Sequence, residues 1–177
     1  MICYIFIIAV FLCACKKPVR YSDIPEIKFI SFEKKPKEYL IVGGIPVLEM
    51  NKGELIFYFQ DGDGDIGLNK SDMYPPFDST SVYYHNFFCD YYEKRNGIFE
   101  KIDSVEIKGK MAPFNHNARI PRLSYLPEES IHGEIAITIS PDYYITSSPY
   151  NDTILLKFYI VDRKLNKSNT EGVVVIR

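Results

Sequence analysis

The residues best equipped for chemistry stand together in Asp61-Gly62-Asp63-Gly64-Asp65-Ile66-Gly67-Leu68. Three carboxylates occupy alternate positions, separated by glycines, directly after the strand-like run Glu54 to Gln60. Alternation along a tight, glycine-permitted loop would put the three side chains on one side. Oxygen-rich loops of that kind suit a hard cation such as Ca²⁺. The metal set read from the sequence is Asp61, Asp63 and Asp65, with Ca²⁺ as the cofactor. Asp162, at the end of a later strand, is a further carboxylate that could approach from across a sandwich.

In an EF-hand-like register Asp61, Asp63 and Asp65 take positions 1, 3 and 5, Gly67 offers its carbonyl at 7, Asn69 sits at 9 and Asp72 at 12. The match is incomplete. Ile66 stands where that motif needs glycine, Asp72 is shorter than the usual Glu, and no flanking helices are apparent. A looser calcium loop between strands is one reading. The other is a glycine turn whose Asp side chains accept hydrogen bonds from their own backbone, as Asx-turns do. In both, three carboxylates repel one another unless a cation or backbone amides compensate them.

The aromatic run Val82 to Tyr92 is the second candidate. If Tyr84, His85 and Tyr91 were exposed and contiguous, they would form a surface for a glycan or a protein partner. The competing use is the core, because a Trp-free all-β chain needs its aromatics there and alternation must send half of them inward. His85, His116 and His132 are too scattered to suggest zinc. There is no Gly-x-Ser-x-Gly, P-loop or dinucleotide fingerprint, and adjacent Asp residues in one loop do not supply the separated acid and base of a glycosidase. A non-enzymatic protein is expected.

The elements that must position these residues read as strands. At 177 residues the chain suits one domain with a sizeable core. Aromatics make up 15%, with 14 Tyr and 12 Phe, and Val and Ile are plentiful, which is strand composition. A net charge of −2 gives no field that would favour nucleic acid. A first strand is expected from Glu26, with Ile27, Phe29 and Ser31 on one face. Glu54 to Gln60 alternates Leu55, Phe57 and Phe59 against Ile56 and Tyr58. Tyr39 to Val42 is a weak edge segment closed by Gly43-Gly44. Asn96-Gly97 predicts a hairpin joining the aromatic strand to Ile98 to Ile102, which Ser104 to Lys108 would extend. Met111 to Tyr125 reads as a crossing loop. Strict alternation returns over Ile131 to Ser140 and Asp152 to Val161, and Gly172 to Ile176 closes the chain. Seven or more short strands without a convincing helix predict an all-β fold, a two-layer antiparallel sandwich over 26–177.

The N-terminus predicts an address. Ile2 to Cys15 is an apolar run of about 14 residues ending at Lys16-Lys17-Pro18, where a spanning helix needs about 20. A secretory signal over 1–14 fits, although Met1 to Tyr4 carries no Lys or Arg. Its end, Leu12-Cys13-Ala14-Cys15, resembles the bacterial lipobox, which makes Cys15 the lipid anchor and 15–25 a tether. Cys89 is then the one cysteine left without a lipid, and it reads as a small buried hydrophobe.

The lipobox, the strand ending in Asp-Gly-Asp-Gly-Asp-Ile-Gly, and the closing Phe158-Tyr-Ile-Val-Asp-Arg-Lys-Leu-Asn-Lys-Ser-Asn169 together resemble lipoproteins of Bacteroidetes-type bacteria. The mature part of those proteins is similar to immunoglobulin-like or fibronectin-like sandwiches. The resemblance implies an immunoglobulin-like fold and a cell-envelope compartment at the outer membrane, and no activity. Surface-displayed members often carry acidic residues after the lipidated Cys. Here Lys16 and Lys17 follow, which implies a periplasm-facing protein. The function expected is an interaction or structural module stabilised by Ca²⁺, with glycan binding through the aromatic strand as the alternative.

Overall fold

Strand β4 (Gly53–Asp61) keeps the strictest alternation of the chain, every odd-numbered residue being buried and every even-numbered one half-buried. Its inner row is Leu55, Phe57 and Phe59, as the period of two predicts. The computed structural model describes residues 20–177 apart from 108, 127, 128, 140, 141 and 143. The expected signal segment over 1–14 and the expected anchor Cys15 lie outside the described residues.

Beside β4 run β1 (Glu26–Lys34) and β9 (Ile131–Ile139), both antiparallel to it, giving a three-stranded sheet in the order β1-β4-β9. A four-stranded antiparallel sheet has the order β11-β10-β5-β6, from β5 (Phe87–Arg95), β6 (Ile98–Lys101), β10 (Thr153–Ile160) and β11 (Glu171–Ile176). The chain is all-β: no α-helix occurs among the described residues, and Val82–Tyr84 forms a short 3-10 turn.

The inner faces of these two sheets meet in one core. Phe57 stacks on Phe87 at 5.8 Å between centroids and lies 5.5 Å from Phe158, while Phe29 meets Phe158 edge-on. Each fully buried aromatic or aliphatic side chain here contributes about 1.5–3 kcal/mol of burial free energy. Asn169 ties the edges of the two sheets together, since its side-chain amide accepts from the Ile27 N–H at 2.8 Å and donates to the Ile27 carbonyl at 2.8 Å. One free N–H and one free C=O of the edge strand are thereby satisfied.

Local irregularities differ from the expected pattern for physical reasons. A β-bulge between Phe29 and Ser31 sets Ile30 outside the pairing, so Phe32 returns to the core side instead of the opposite face. Gly53 makes room for it, because a Cβ there would lie 2.2 Å from the Phe32 ring. Residues 38–50 form a hairpin of β2 (Glu38–Val42) and β3 (Ile45–Met50) that pairs with no other strand among the described residues. Tyr39, Leu40, Ile41, Val42 and Ile45 are all exposed on it. This hairpin joins the ends of β1 and β4 farthest from Asp61.

Ser104 to Lys108 does not extend the β5-β6 hairpin. Strand β7 (Ser104–Ile107) pairs with β8 (Lys110–Pro113) in a separate hairpin, so part of the expected crossing loop is strand. Tyr21 to Pro25, read as the end of a tether, lies against the domain: Tyr21 packs on His132 and Pro25 is buried.

Cys89 is fully buried in the core, where loss of hydration pushes its thiol well above the ordinary range. A disulfide-exchange reagent is therefore expected to label it at least about a hundredfold more slowly in the native protein than in denaturant. Comparable rates would mean that the inner row of β5 is open to solvent.

Candidate metal centre

The inner rows of two facing strands both end in an aspartate. On β4, Asp61 continues the row Leu55, Phe57, Phe59, and alternation forces its carboxylate inward, with 0% exposure. On β10, Asp162 continues the row Ile154, Leu156, Phe158, Ile160 and is 1% exposed. Phe57 and Phe158 touch across the core, and each aspartate lies four residues beyond its phenylalanine. The Arg163 N–H, one residue after Asp162, reaches Asp65 Oδ1 at 3.3 Å, so the two strands deliver their terminal carboxylates to the same end of the core.

The loop after Asp61 adds two more. Residues 61–68 are all buried, which is unusual for a loop and requires its backbone groups to be paired inside. The Gly62 N–H donates to the Ser22 carbonyl at 2.7 Å, and its own carbonyl accepts from the Ser130 hydroxyl at 3.1 Å. The Leu68 N–H donates to the Ile120 carbonyl at 3.0 Å, and the Leu123 N–H donates to the Ile66 carbonyl at 3.2 Å. Ile66 and Leu68 fill the core beneath. The glycines are demanded by this close fit: Gly64 and Gly67 have φ of +67° and +96°, and a Cβ would lie 2.3 Å from the Glu129 carbonyl oxygen and 2.1 Å from that of Pro121.

One oxygen from each of Asp61, Asp63 and Asp65 lies within 4.8 Å of the other two. Ca²⁺ holds oxygens at about 2.3–2.6 Å, so two ligands of one ion are at most about 5 Å apart. The three carboxylates fit that limit. Two of their oxygens, Asp61 Oδ1 and Asp63 Oδ1, are buried and accept no hydrogen bond from the described residues.

The remaining oxygens are partly served. The Asp65 N–H donates to Asp61 Oδ2 at 2.9 Å, and the Arg163 N–H donates to Asp65 Oδ1 at 3.3 Å. Lys164 Nζ donates to Asp63 Oδ2 at 2.5 Å, and among the described residues it is the one cation paired with these carboxylates. Asp162 accepts from the Asn166 N–H at 2.7 Å and from the Asn166 side-chain amide at 2.8 Å, which closes the turn into β11. Like charges at this spacing cost on the order of 3 kcal/mol per pair at an effective dielectric constant of about 20. One lysine and a few N–H groups do not offset four buried carboxylates.

The acidities register that imbalance. Burial first, then Asp63, pushes the Asp61 carboxyl up to about 7; burial, then Asp162 and Asp63, pushes Asp65 up to about 6. Burial also raises Asp162, with Asp63 adding to it. The site has a strong demand for positive charge, met either by protons or by a cation.

A pH dependence follows. Asp61 and Asp65 keep protons in the folded, metal-free state that the unfolded chain has lost by about pH 4. Their contribution to stability is therefore full below that pH and is lost as pH rises towards 7. His85 acts the other way, because burial and then Arg119 hold it below its ordinary value. The diagnostic quantity is the difference in unfolding midpoint between wild type and Asp61→Asn in chelator. Wild type should lose ground to the variant steadily from pH 5 to pH 8, and a constant difference would mean that Asp61 does not titrate in that range.

The EF-hand-like register fails at its last position. Asp72, at the position of the last ligand, is bound by the Arg163 guanidinium through both oxygens, which holds its carboxyl below the ordinary range. The carbonyls of Asn69 and Asp72 accept from Arg119 at 3.1 and 2.6 Å. Those groups are committed to fixing the following loop.

The aromatic candidates are not brought together. Tyr91 is fully buried on the inner row of β5 with Phe87 and Cys89; its hydroxyl donates to Glu93 at 3.2 Å and accepts from the Ile145 N–H at 3.2 Å. It therefore forms no surface with Tyr84 and His85. Those two precede the strand, half-buried and edge-to-face at 5.0 Å, with the Arg119 guanidinium over the Tyr84 ring. The strand itself begins at Phe87, and Val82 to Tyr84 turns instead.

Lys164 and Arg163 had no part in the site read from the sequence. Their signal was present in Asp162-Arg163-Lys164, which follows the inward row of β10 by continuing its parity. Comparison with family models, with curated proteins and with solved structures finds no match to this chain.

Proposed function

We propose that the protein is a non-enzymatic cell-envelope lipoprotein, anchored through Cys15, whose immunoglobulin-like domain is stabilised by Ca²⁺ and serves as an interaction or assembly module facing the periplasm. The observation that carries the calcium reading is the buried end of the core, where Asp61 and Asp63 each keep an oxygen without a donor among the described residues. Asp61, Asp63 and Asp65 hold the ion, and oxygen-only ligands favour a hard cation.

Strand order supports the immunoglobulin-like reading. With β1, β4 and β9 as A, B and E, and β5, β6, β10 and β11 as C, C′, F and G, the sheets run A-B-E and G-F-C-C′. The β2-β3 and β7-β8 hairpins are insertions on that plan, between A and B and between C′ and E.

The interaction role is supported by the β2-β3 hairpin. Consecutive residues Tyr39 to Val42 point to alternate faces and all are exposed, so both faces of β2 carry exposed apolar side chains. A partner protein offering a hydrophobic cleft would cover both. The hairpin joins strand ends remote from residues 20–26, where the chain leads back to the proposed anchor. That arrangement would present it away from the membrane. No helix among the described residues is long and apolar enough to cross a membrane. Palmitate labelling of the protein in a bacterial host with lipoprotein processing should appear in wild type and vanish in Cys15→Ala; equal labelling would remove the anchor.

A further inference from the structure

The turn from β10 to β11 brings three groups to the acidic loop from the second sheet. Asp162 arrives buried at the end of the inner row of β10, the Arg163 N–H reaches Asp65 Oδ1 at 3.3 Å, and Lys164 Nζ sits 2.5 Å from Asp63 Oδ2. The lysine differs from the others in how it gets there. Its side chain is 62% exposed, whereas that of Asp63 is 8% exposed, so the ammonium enters from solvent and its stem is free to swing back out.

An ammonium answers only part of what the site asks for. It carries one charge and engages one oxygen, while Asp61 Oδ1 and Asp63 Oδ1 stay buried and unserved by the described residues. A divalent cation brings two charges and short bonds to several oxygens at once. It would meet the oxygens of Asp61, Asp63 and Asp65, which already lie within one ion's reach of each other. Asp162 is next to them by chain geometry, since the residue after it touches Asp65 and its row partner Phe158 touches Phe57 of the Asp61 row. The two Asn166 donors and the Lys164 N–H take about three of the four lone-pair positions of Asp162, which leaves capacity for a bond to an ion.

We propose that Lys164 is a tethered counter-ion that occupies the acidic site until a divalent cation displaces it, and that Asp162 then joins Asp61, Asp63 and Asp65 around the ion, so that the ion ties the two sheets together. This rests on the calcium reading above and deepens it. No covalent bond is broken: the cation brings two charges, the ammonium takes one back to solvent, and protons still held by Asp61 and Asp65 are released to solvent as the ion binds. Metal binding would thereby exchange a surface lysine contact for a cross-link between β4 and β10, the central strands of their sheets.

The test has two arms, each read with Ca²⁺ alone as the probe. Calorimetric titration of Lys164→Met, which keeps the stem and removes the competitor, should show Ca²⁺ affinity about tenfold or more above wild type, and Asp162→Asn about tenfold or more below it. In wild type, acylation of Lys164 followed by mass spectrometry should be several times faster with saturating Ca²⁺ than with chelator. Wild-type protein that binds no Ca²⁺ overturns the calcium reading and this inference together. Wild-type binding that depends on Asp61, combined with unchanged affinity in Lys164→Met and unchanged Lys164 acylation, leaves the calcium reading standing and overturns the exchange. Unchanged affinity in a folded Asp162→Asn overturns the tie between sheets. The acylation arm uses the native chain, so it decides the exchange even where a variant does not fold.

Discussion

Saturating Ca²⁺ is expected to raise the unfolding midpoint of the metal-free protein at pH 7.5, and Asp61→Asn to abolish the rise. Free ion at about one hundred times Kd stabilises the folded state by about 2.7 kcal/mol, which for a domain of this size is about 5–10 °C. The response should be this large because the ion relieves a cost already present: Asp61 is fully buried, carries an oxygen without a donor among the described residues, and faces other carboxylates within 4.8 Å. The variant discriminates further. An amide at 61 can still accept from the Asp65 N–H, but it removes one buried charge from the cluster. Metal-free Asp61→Asn should therefore be more stable than metal-free wild type at pH 7.5, and less stable than wild type with Ca²⁺. A variant that is less stable than wild type in chelator would show that the carboxylate is satisfied by protein groups alone.

The second large effect lies in the backbone of the same loop. Gly67→Ala is expected to cost about 3 kcal/mol or more, because the new Cβ would lie 2.1 Å from the Pro121 carbonyl oxygen at a φ of +96°. Neither segment can yield easily. The Leu68 to Ile120 and Leu123 to Ile66 hydrogen bonds hold them together, and Asn86 holds Ile120 through both its backbone groups, at 2.6 and 3.1 Å. Gly97→Ala is the matched control, since Gly97 has a φ of +84° with nothing within 4 Å of an added Cβ. It should cost only about 1 kcal/mol, the penalty for a left-handed alanine in open space. Urea unfolding of the two variants separates the contributions, and equal losses would mean that the approach to Pro121 is not tight.

Much of this fold could be read from alternation. Strands β4, β9, β10 and β11 fall within a residue or two of their expected bounds, because each keeps one polar and one apolar face or a run of β-branched residues between turns. Where both faces are apolar, the period gives no direction. In β5, Phe87 and Phe88 are adjacent, as are Tyr91 and Tyr92, so the sequence alone left open which set is buried. Pairing decides it: Phe87, Cys89 and Tyr91 stand opposite Ile160, Phe158 and Leu156, the inner row of β10. The bulge at Ile30 was hidden for a related reason, since Phe29, Ile30 and Phe32 would serve on either face. Pro46 and Pro113 made β3 and β8 look like loops, although each is tolerated in a two-stranded hairpin outside the main sheets.

The site was legible as a loop and illegible as a junction. Asp61, Asp63 and Asp65 announce themselves by spacing and Asp162 by its place at a strand end, but Lys164 enters only once the two sheets face each other. Burial changed the meaning of the acidic run. In open solvent, alternate aspartates are a hydrated turn; with residues 61–68 enclosed, the same carboxylates need a counter-charge that the neighbouring side chains supply only in part. Asp72 shows the converse, since a residue that fits a ligand register by count is instead claimed by Arg163.

Calorimetric titration of Ca²⁺ into chelator-treated protein at pH 7.5 is the most direct measurement. It should show saturable binding of one ion per chain, absent in Asp61→Asn. No saturable heat change in wild type, or a titration that Asp61→Asn leaves unaltered, would show that the acidic end of the core is not a calcium site.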